Sequence, residues 1–345
     1  MLLGIEIGGT KLQLGVSDRA DGEFAAFERF DIDAARGATG ILEQIERGAA
    51  TLAQSHPIDR IGVGFGGPVD SSRGVTTKSH QVEGWDSFPL AAWLTNIVKA
   101  PAVIGNDGDV AALAEATLGA GRSSRSTFYV TVGTGIGGGY VVDGKLQGAG
   151  RPASAEIGHL RPGPHADRPD ETVESLASGW GIVAAAQKRI SGEVTPPLDS
   201  IRGQHGPQTP LALKKRIHDV EQADQEYVRD LLNRCNGDID SLTAKQVAQA
   251  AAEGNQIATA VVQHAIQTLG WAIAQVITLL APETVVVGGG VSLIGEQMFF
   301  APLREQVARY VFPPLAKQYR IVPAELGEAV VVHGAIALAA QGLPA

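Results

Sequence analysis

The feature that most constrains the fold is a short apolar run that breaks into a glycine-rich turn and resumes as a second apolar run. The pattern occurs twice, with turns at residues 8–11 and 133–139, so its two copies are 125 positions apart. Glycines in such a turn let backbone N–H groups approach an anion without hindrance from a Cβ atom. In the first turn Thr10 and Lys11 add a hydroxyl and a cation. The repeat predicts two similar domains that clamp one polyphosphate.

The composition excludes several classes of protein. A chain of 345 residues exceeds a simple single core, which favours two domains. The net charge of −9 and the lack of a basic stripe disfavour a nucleic-acid partner. Cys235 is the only cysteine, so neither an internal disulfide nor a thiolate zinc cluster can form.

The sequence carries no pattern that predicts export or membrane insertion. No basic region precedes the first apolar run, so no signal peptide is expected. The protein is therefore expected to be cytoplasmic. The longest apolar stretch, residues 257–281, has helical spacing and includes polar side chains. It is therefore predicted to be a core helix rather than a membrane span.

Strands and helices alternate along the chain, as in an α/β protein. The predicted strands beyond the two hairpins are 61–66, 102–105 and 285–287, and the predicted helices are 39–54, 110–118, 177–190, 254–280 and 334–340. The first lobe is expected to span residues 1–120 and the second residues 121–330, with an insertion at about 192–241. The last segment, 331–345, is expected to pack back on the first lobe.

Two glycine triplets match the dinucleotide-binding fingerprint, which leaves a nicotinamide-dependent oxidoreductase as an alternative. They are Gly62/Gly64/Gly67 and Gly133/Gly135/Gly138. The fingerprint requires a helix to follow, so that its N-terminus meets the pyrophosphate. The residues after Gly138 favour a strand instead, which weakens this interpretation.

Several polar residues are candidates for chemistry. Asp107 follows a short strand, where α/β sheets place functional groups, and could be a general base or a helix N-cap. Asp109 is the better N-cap candidate, which favours a free role for Asp107. Glu156, His159 and Glu174 surround a Gly/Pro-rich loop and suit binding of several hydroxyls, although plain surface polarity is the commoner explanation of such residues. Trp85 could line a pocket or belong to a core.

Five motifs in order resemble the ROK family of repressors, open reading frames and sugar kinases. They are Glu6-Ile7-Gly8-Gly9-Thr10-Lys11, Asn106-Asp107, Gly133-Thr134-Gly135-Ile136-Gly137-Gly138-Gly139, Glu156-Ile157-Gly158-His159 and Val287-Gly288-Gly289-Gly290-Val291. The resemblance covers nearly the whole chain apart from the insertion.

The resemblance implies a two-lobed α/β fold, the actin-like ATPase (ribonuclease H-like) architecture with a central cleft. It also implies ATP-dependent phosphorylation of a hexose, with glucose expected, magnesium as cofactor and Asp107 as the base. The implied sugar contacts are Gly67, Asn106, Glu156, His159 and Glu174. The implied nucleotide contacts are Gly8, Gly9, Thr10, Lys11, Gly133, Thr134, Gly135, Gly137, Gly288, Gly289 and Gly290. Dimers are common among similar proteins, so a homodimer is also open.

Three departures from the family pattern bear on these expectations. Residues 162–173 contain no cysteine where the family usually binds zinc, so no structural zinc is expected. Glu6 stands where an aspartate is common, and Gln81 where an asparagine often precedes the Gly-Trp pair. The chain starts at the phosphate hairpin without a DNA-binding helix-turn-helix, which disfavours the repressor branch. A sugar-binding regulator without catalysis, or a kinase for another hexose such as fructose, mannose or an N-acetylhexosamine, stays as an alternative.

Overall fold

Two five-stranded mixed sheets of the same layout form the framework of the protein. The computed structural model describes residues 1–20, 23–77, 82–148, 151, 154–162, 168–192 and 224–342. In each sheet an antiparallel meander of three strands is extended by two parallel strands, in the orders β3-β2-β1-β4-β7 and β10-β9-β8-β11-β12. The two copies of the glycine hairpin therefore occupy equivalent places in two sheets, as the sequence repeat predicts.

The strands of the first sheet are β1 (Leu2–Ile7), β2 (Lys11–Ser17), β3 (Ala26–Asp31), β4 (Arg60–Phe65) and β7 (Ala102–Asn106), and β5 (Val69–Asp70) and β6 (Val75–Thr76) form a separate ribbon. Those of the second are β8 (Ser126–Val132), β9 (Ile136–Val142), β10 (Lys145–Leu146), β11 (Thr284–Gly288) and β12 (Arg320–Pro323). β1, β4 and β11 are buried on both faces over most of their length, which explains why nearly all of their residues are apolar or glycine.

The helices are α1 (Gly37–Ser55), α2 (Leu90–Val98), α3 (Asp107–Thr117), α4 (Val173–Ala177), α5 (Gly179–Ile190), α6 (Ala244–Ala252), α7 (Gln256–Leu280), α8 (Ala301–Tyr310) and α9 (Val330–Gln341). Residues 224–234 are also helical. Side-chain caps start several of these helices: Asn255 accepts from the N–H of Ala258 at the start of α7, and Thr243 and Gln246 form a capping box on α6.

Each sheet has its own hydrophobic core, and a third cluster joins the two. The third cluster draws residues from α3, α9 and the second sheet, among them Val110, Tyr129, Val286 and Ala335. α9 lies so close to the first sheet that a Cβ atom at Gly62 would be 1.8 Å from the backbone oxygen of Ala335. The last helix of the chain therefore packs on the first sheet and on α3.

Most predicted elements are confirmed, with shifted ends. α1 begins two residues before the predicted start, and α9 begins at Val330 rather than Gly334. α7 is long and apolar enough to cross a bilayer, but most of it is buried against its neighbours in the second core. No helix follows Gly138, because this residue lies inside β9. This excludes the dinucleotide fingerprint at 133–138. Residues 193–223 of the predicted insertion lie outside the described residues.

Candidate active site

The first glycine hairpin leaves backbone donors free at its tip. Its turn is closed by the N–H of Gly8, which donates to the backbone oxygen of Lys11 at 3.0 Å. Within the described part of the chain, the N–H groups of Gly9 and Thr10 have no acceptor. Thr10 is exposed. The tip can therefore bind an anion through the main chain.

The ammonium group of Lys11 is held at the base of this hairpin. Its Nζ lies 3.2 Å from Oε1 of Glu6 and donates to the backbone oxygen of Glu328 at 2.9 Å. Glu328 lies in the turn that leads into α9, so Lys11 ties the hairpin to that turn. Burial raises the pKa of Glu6 to about 7, against the opposing effect of Lys11.

Asn106 starts α3, which corrects the prediction that Asp109 is its N-cap. The Oδ1 atom of Asn106 accepts from the N–H of Gly108 at 2.9 Å and of Asp109 at 3.4 Å. Its Nδ2 donates to the backbone oxygen of Gly67 at 3.1 Å. The strand ends one residue later than predicted, so the amide reaches the first free N–H groups and α3 begins at Asp107. The side chain of Asn106 also hydrogen-bonds the carboxyl group of Asp107.

Asp107 is not the N-cap residue, although its Oδ1 accepts from the N–H of Gly108 at 2.9 Å, and it lies beside the first hairpin. A Cβ atom at Gly66 would lie 3.6 Å from Oδ2 of Asp107 and 3.5 Å from the Cα atom of Gly8. On its other side α3 approaches the second sheet, because a Cβ atom at Gly108 would be 2.9 Å from the backbone oxygen of Gly138. Burial raises the pKa of Asp107 to about 6, although N–H groups oppose the shift. The carboxyl group of Asp107 thus lies next to the first hairpin, and the residue that follows it contacts a strand of the second.

The second hairpin has the same free donors as the first. The N–H of Gly133 donates to the backbone oxygen of Gly135 at 2.9 Å, and no described acceptor takes the N–H of Thr134 or Gly135. Glu174 supports this turn, since its Oε2 accepts from the N–H of Ile136 at 2.8 Å. Glu174 was predicted as a sugar contact, and one of its carboxylate oxygens is thus already bound to the hairpin. Gly137 lies inside β9.

Glu156 and His159 complete the polar cluster. Burial raises the pKa of Glu156; the nearby Asp107 and Glu174 raise it further, and His159 opposes them. His159 is exposed at the end of a short 3₁₀ turn, Ile157–His159. The charges of Asp107, His159 and Glu174 therefore all act on Glu156.

A cavity of about 1060 Å³ opens beside the second hairpin. Gly133 and Thr134 border it on one side, and Gly290 on the other. Its lining is mostly apolar and includes Trp180 and Leu293, which are 46% and 84% exposed. Gly288 is buried under Tyr129 and Ala324 at the end of β11, and Gly289 has a φ of 87° that favours glycine. Of the three predicted nucleotide contacts here, Gly290 is the one that lines the cavity.

Two acidic residues of α3 are buried in a way that the sequence pattern did not indicate. Oδ1 of Asp109 is buried without a hydrogen-bond partner in the described structure. Glu115 is fully buried and accepts N–H bonds from both connections between the sheets, at Ala120, Glu325 and Leu326. Acidic residues of a short helix usually face solvent, so only their place between two packed sheets distinguishes these two.

Trp85 is a core residue rather than a pocket residue. Trp85 is 1% exposed and packs edge-on against Phe65 and Phe88, so it belongs to the core of the first lobe. Gln81 and residues 163–167 lie outside the described residues. Among the residues that are described, no three His, Cys, Asp or Glu side chains are grouped to hold a metal ion.

Comparison with known proteins identifies the family. The sequence profile described as "ROK family" matches residues 2–342. The chain belongs to the ROK family. The ROK chain is 29% identical to the glucokinase of Halalkalibacterium halodurans, over 96% of this chain and 92% of that protein.

Solved structures of ROK proteins share the fold. A ROK family glucokinase from Streptomyces griseus, solved with glucose and AMPPNP, has a TM-score of 0.75 and 26% identity, with 99% of both chains covered. A ROK family transcriptional regulator, homologous to the E. coli MLC protein, has a TM-score of 0.73 and 20% identity; 97% of this chain and 76% of that one are covered. The two sheets are those of the actin-like ATPase architecture expected from the sequence.

Proposed function

We propose that this ROK protein is a hexokinase that transfers the terminal phosphoryl group of ATP to a hexose hydroxyl, with the 6-hydroxyl of glucose as the principal acceptor. The observation that carries the proposal is the position of Asp107, next to the first hairpin and at the start of the helix that contacts the second, with free N–H groups at both hairpin tips. The glucokinase relatives support the general class, a sugar kinase. Glucose is proposed as the acceptor because these relatives are named glucokinases.

The two hairpins suit the two ends of a polyphosphate. Free N–H groups at Gly9, Thr10, Thr134 and Gly135 would donate to phosphate oxygens, since such donors need no rearrangement during transfer. A magnesium ion would supply neutralisation of the phosphate charge when bound, and Glu6 is the carboxylate at the first hairpin that could orient one of its waters. Hard oxygen ligands of this kind fit that ion.

The large apolar cavity favours a nucleotide over inorganic polyphosphate as the donor. It opens beside Gly133 and Thr134, where the second phosphate site is proposed, and it is large enough for a nucleoside. Trp180 offers an exposed aromatic face at its rim. A bare polyphosphate would leave this surface unused.

On the acceptor side, Asp107 would take the proton of the attacking hydroxyl. The amide group of Asn106 and the acceptors Glu156 and His159 would orient the sugar, with Gly67 beneath it. Glu174 would act through the hairpin it supports and through its remaining carboxylate oxygen. General-base assistance of this kind contributes about 10²- to 10⁴-fold to a rate.

The test is a panel of hexoses with ATP or polyphosphate as donor and ADP or sugar phosphate as the readout. We expect ATP-dependent turnover with glucose and a fall of about 10²- to 10⁴-fold in kcat for Asp107→Asn, with sugar affinity nearly unchanged. A variant that keeps more than about a tenth of wild-type turnover would exclude Asp107 as the base. Sugar binding without turnover on any hexose would favour the regulator.

A further inference from the structure

The apolar cavity beside the second hairpin contains a side-chain amide whose orientation is fixed. Gln187 of α5 lines this cavity, and its Nε2 donates to the backbone oxygen of Ile239 at 2.9 Å. A backbone oxygen can only accept a hydrogen bond, so this contact settles which end of the amide faces Ile239. The proposed function gives Gln187 no role.

The same contact leaves the carbonyl oxygen of Gln187 as an acceptor for a ligand. Oε1 accepts no hydrogen bond from the described residues, and it is accessible although the side chain is half-buried. A ligand that fills the cavity covers this oxygen and must either donate a hydrogen to it or leave it unpaired. An unpaired buried acceptor is unfavourable. The cavity therefore favours a ligand with a donor at this position.

α5 leads from the second hairpin to Gln187. At its start, the N–H of Gly179 donates to the backbone oxygen of Gly133 at 2.8 Å. Trp180, Val183 and Gln187 all line the cavity, and their spacing of three and four residues puts them on one face of the helix. Gln187 follows Gly179 by eight residues, which is about 12 Å along the axis. This length is comparable to the distance from a phosphate across the ribose to the far edge of a purine.

A cation lies toward the hairpin end of the cavity. A Cβ atom at Gly179 would be 3.7 Å from the Cβ atom of Ala244, the first residue of α6. Lys245 follows Ala244, and it is the one charged side chain among the described residues that line the cavity. Positive charge near the second hairpin suits the phosphates of a nucleotide, which leaves the uncharged amide of Gln187 for the base.

We propose that Gln187 selects adenine, because its Oε1 accepts a hydrogen bond from the 6-amino group of the base. The inference rests on the proposed function, since it takes this cavity to be the nucleoside site of the kinase. Guanine carries an oxygen at position 6, which would set one acceptor against another. The cavity contains a second glutamine, Gln249, which is exposed and donates to Oε1 of Glu253 at 3.0 Å. No main-chain contact fixes its amide, so Gln249 is the matched control.

The first experiment compares the binding of ADP and of purine riboside diphosphate, which lacks the 6-amino group. Isothermal titration calorimetry measures both affinities for the wild-type protein in the presence of magnesium. Loss of one hydrogen bond that leaves an acceptor unpaired corresponds to about a tenfold loss of affinity, so the analogue should bind about tenfold more weakly. GDP should bind at least as weakly as the analogue. This comparison needs no substitution, and equal affinities for ADP and the analogue would overturn the proposal.

The second experiment combines the loss of the amino group with the loss of the amide. Gln187→Leu should bind ADP about tenfold more weakly than wild type and should prefer ADP over the analogue by less than about twofold, because each change removes the same hydrogen bond. Gln187→Met repeats the test with an unbranched side chain of similar length. Gln249→Leu should keep the tenfold preference. A preference that survives in both Gln187 variants, or that disappears in Gln249→Leu instead, would show that Gln187 does not contact the base.

Failure of this inference can be distinguished from failure of the proposed function. If ADP binds with the expected preference and no hexose is phosphorylated, the kinase proposal fails and the role of Gln187 stands. If hexose is phosphorylated from GTP as readily as from ATP, the role of Gln187 is overturned and the kinase proposal stands. Absence of ADP binding also overturns the role of Gln187.

Discussion

Glu115 is predicted to be a main determinant of how the two sheets are held together. Its carboxylate is fully buried at the end of α3. One oxygen accepts from the N–H of Leu326 at 2.9 Å and of Glu325 at 3.0 Å, and the other from that of Ala120 at 2.9 Å. Ala120 lies in the connection from α3 to β8, and the other two lie in the connection from β12 to α9. One side chain therefore fastens both crossings between the sheets.

The expected cost of Glu115→Ala follows from the donors it leaves behind. Each orphaned buried N–H costs about 1–3 kcal/mol, and water entering the new cavity recovers part of this, so the three donors predict a loss of about 3–6 kcal/mol in the free energy of unfolding. Glu115→Gln keeps one acceptor oxygen but presents an NH₂ group to a donor, so its expected loss is about half as large.

Equilibrium urea unfolding, followed by far-UV circular dichroism, measures these losses as shifts of the midpoint. The matched control is Glu325→Ala, which breaks an exposed ion pair with Arg122 on the same connection. Exposed pairs contribute about 0–1 kcal/mol, so this variant should unfold close to wild type. A loss for Glu115→Ala that stays within about 1 kcal/mol of this control would refute the reasoning.

Four further predictions can be tested together. First, kcat/KM should fall as pH drops below about 6, because Asp107 must be ionised to accept a proton, and an acid limb unchanged by Asp107 variants with residual activity would contradict this. Second, Gly62→Ala should destabilise the fold by about 3 kcal/mol, the upper end of the usual range for overpacking, since its Cβ would meet the backbone of α9; thermal unfolding checks this. Third, a zinc chelator at fixed magnesium should leave activity unchanged, and loss of activity that zinc restores would show a metal site. Fourth, ADP release without hexose should be far slower than with it, since lobe closure excludes water; equal rates would argue against a closing cleft.

Several features of the site could be predicted because they depend on local sequence. The apolar runs on either side of each glycine-rich turn act over a few residues, so both hairpins were predictable. The first α3 residues show the limit of local reasoning. Both Asn106 and Asp109 are good N-cap types, and the extent of β7 decides between them, because it sets which side chain reaches the free N–H groups.

The sequence by itself determined the repeated strand–turn–strand units, the alternation of strands and helices, and the position of Asp107 at a strand end. These follow from propensities and periodicities that act over a few residues. Only the tertiary structure decided that Lys11 reaches Glu328, that Glu115 fastens two connections, and that Asp109 is buried near Glu156. Such contacts join residues far apart in the chain, and their energies come from desolvation, which exists only once the sheets have packed together.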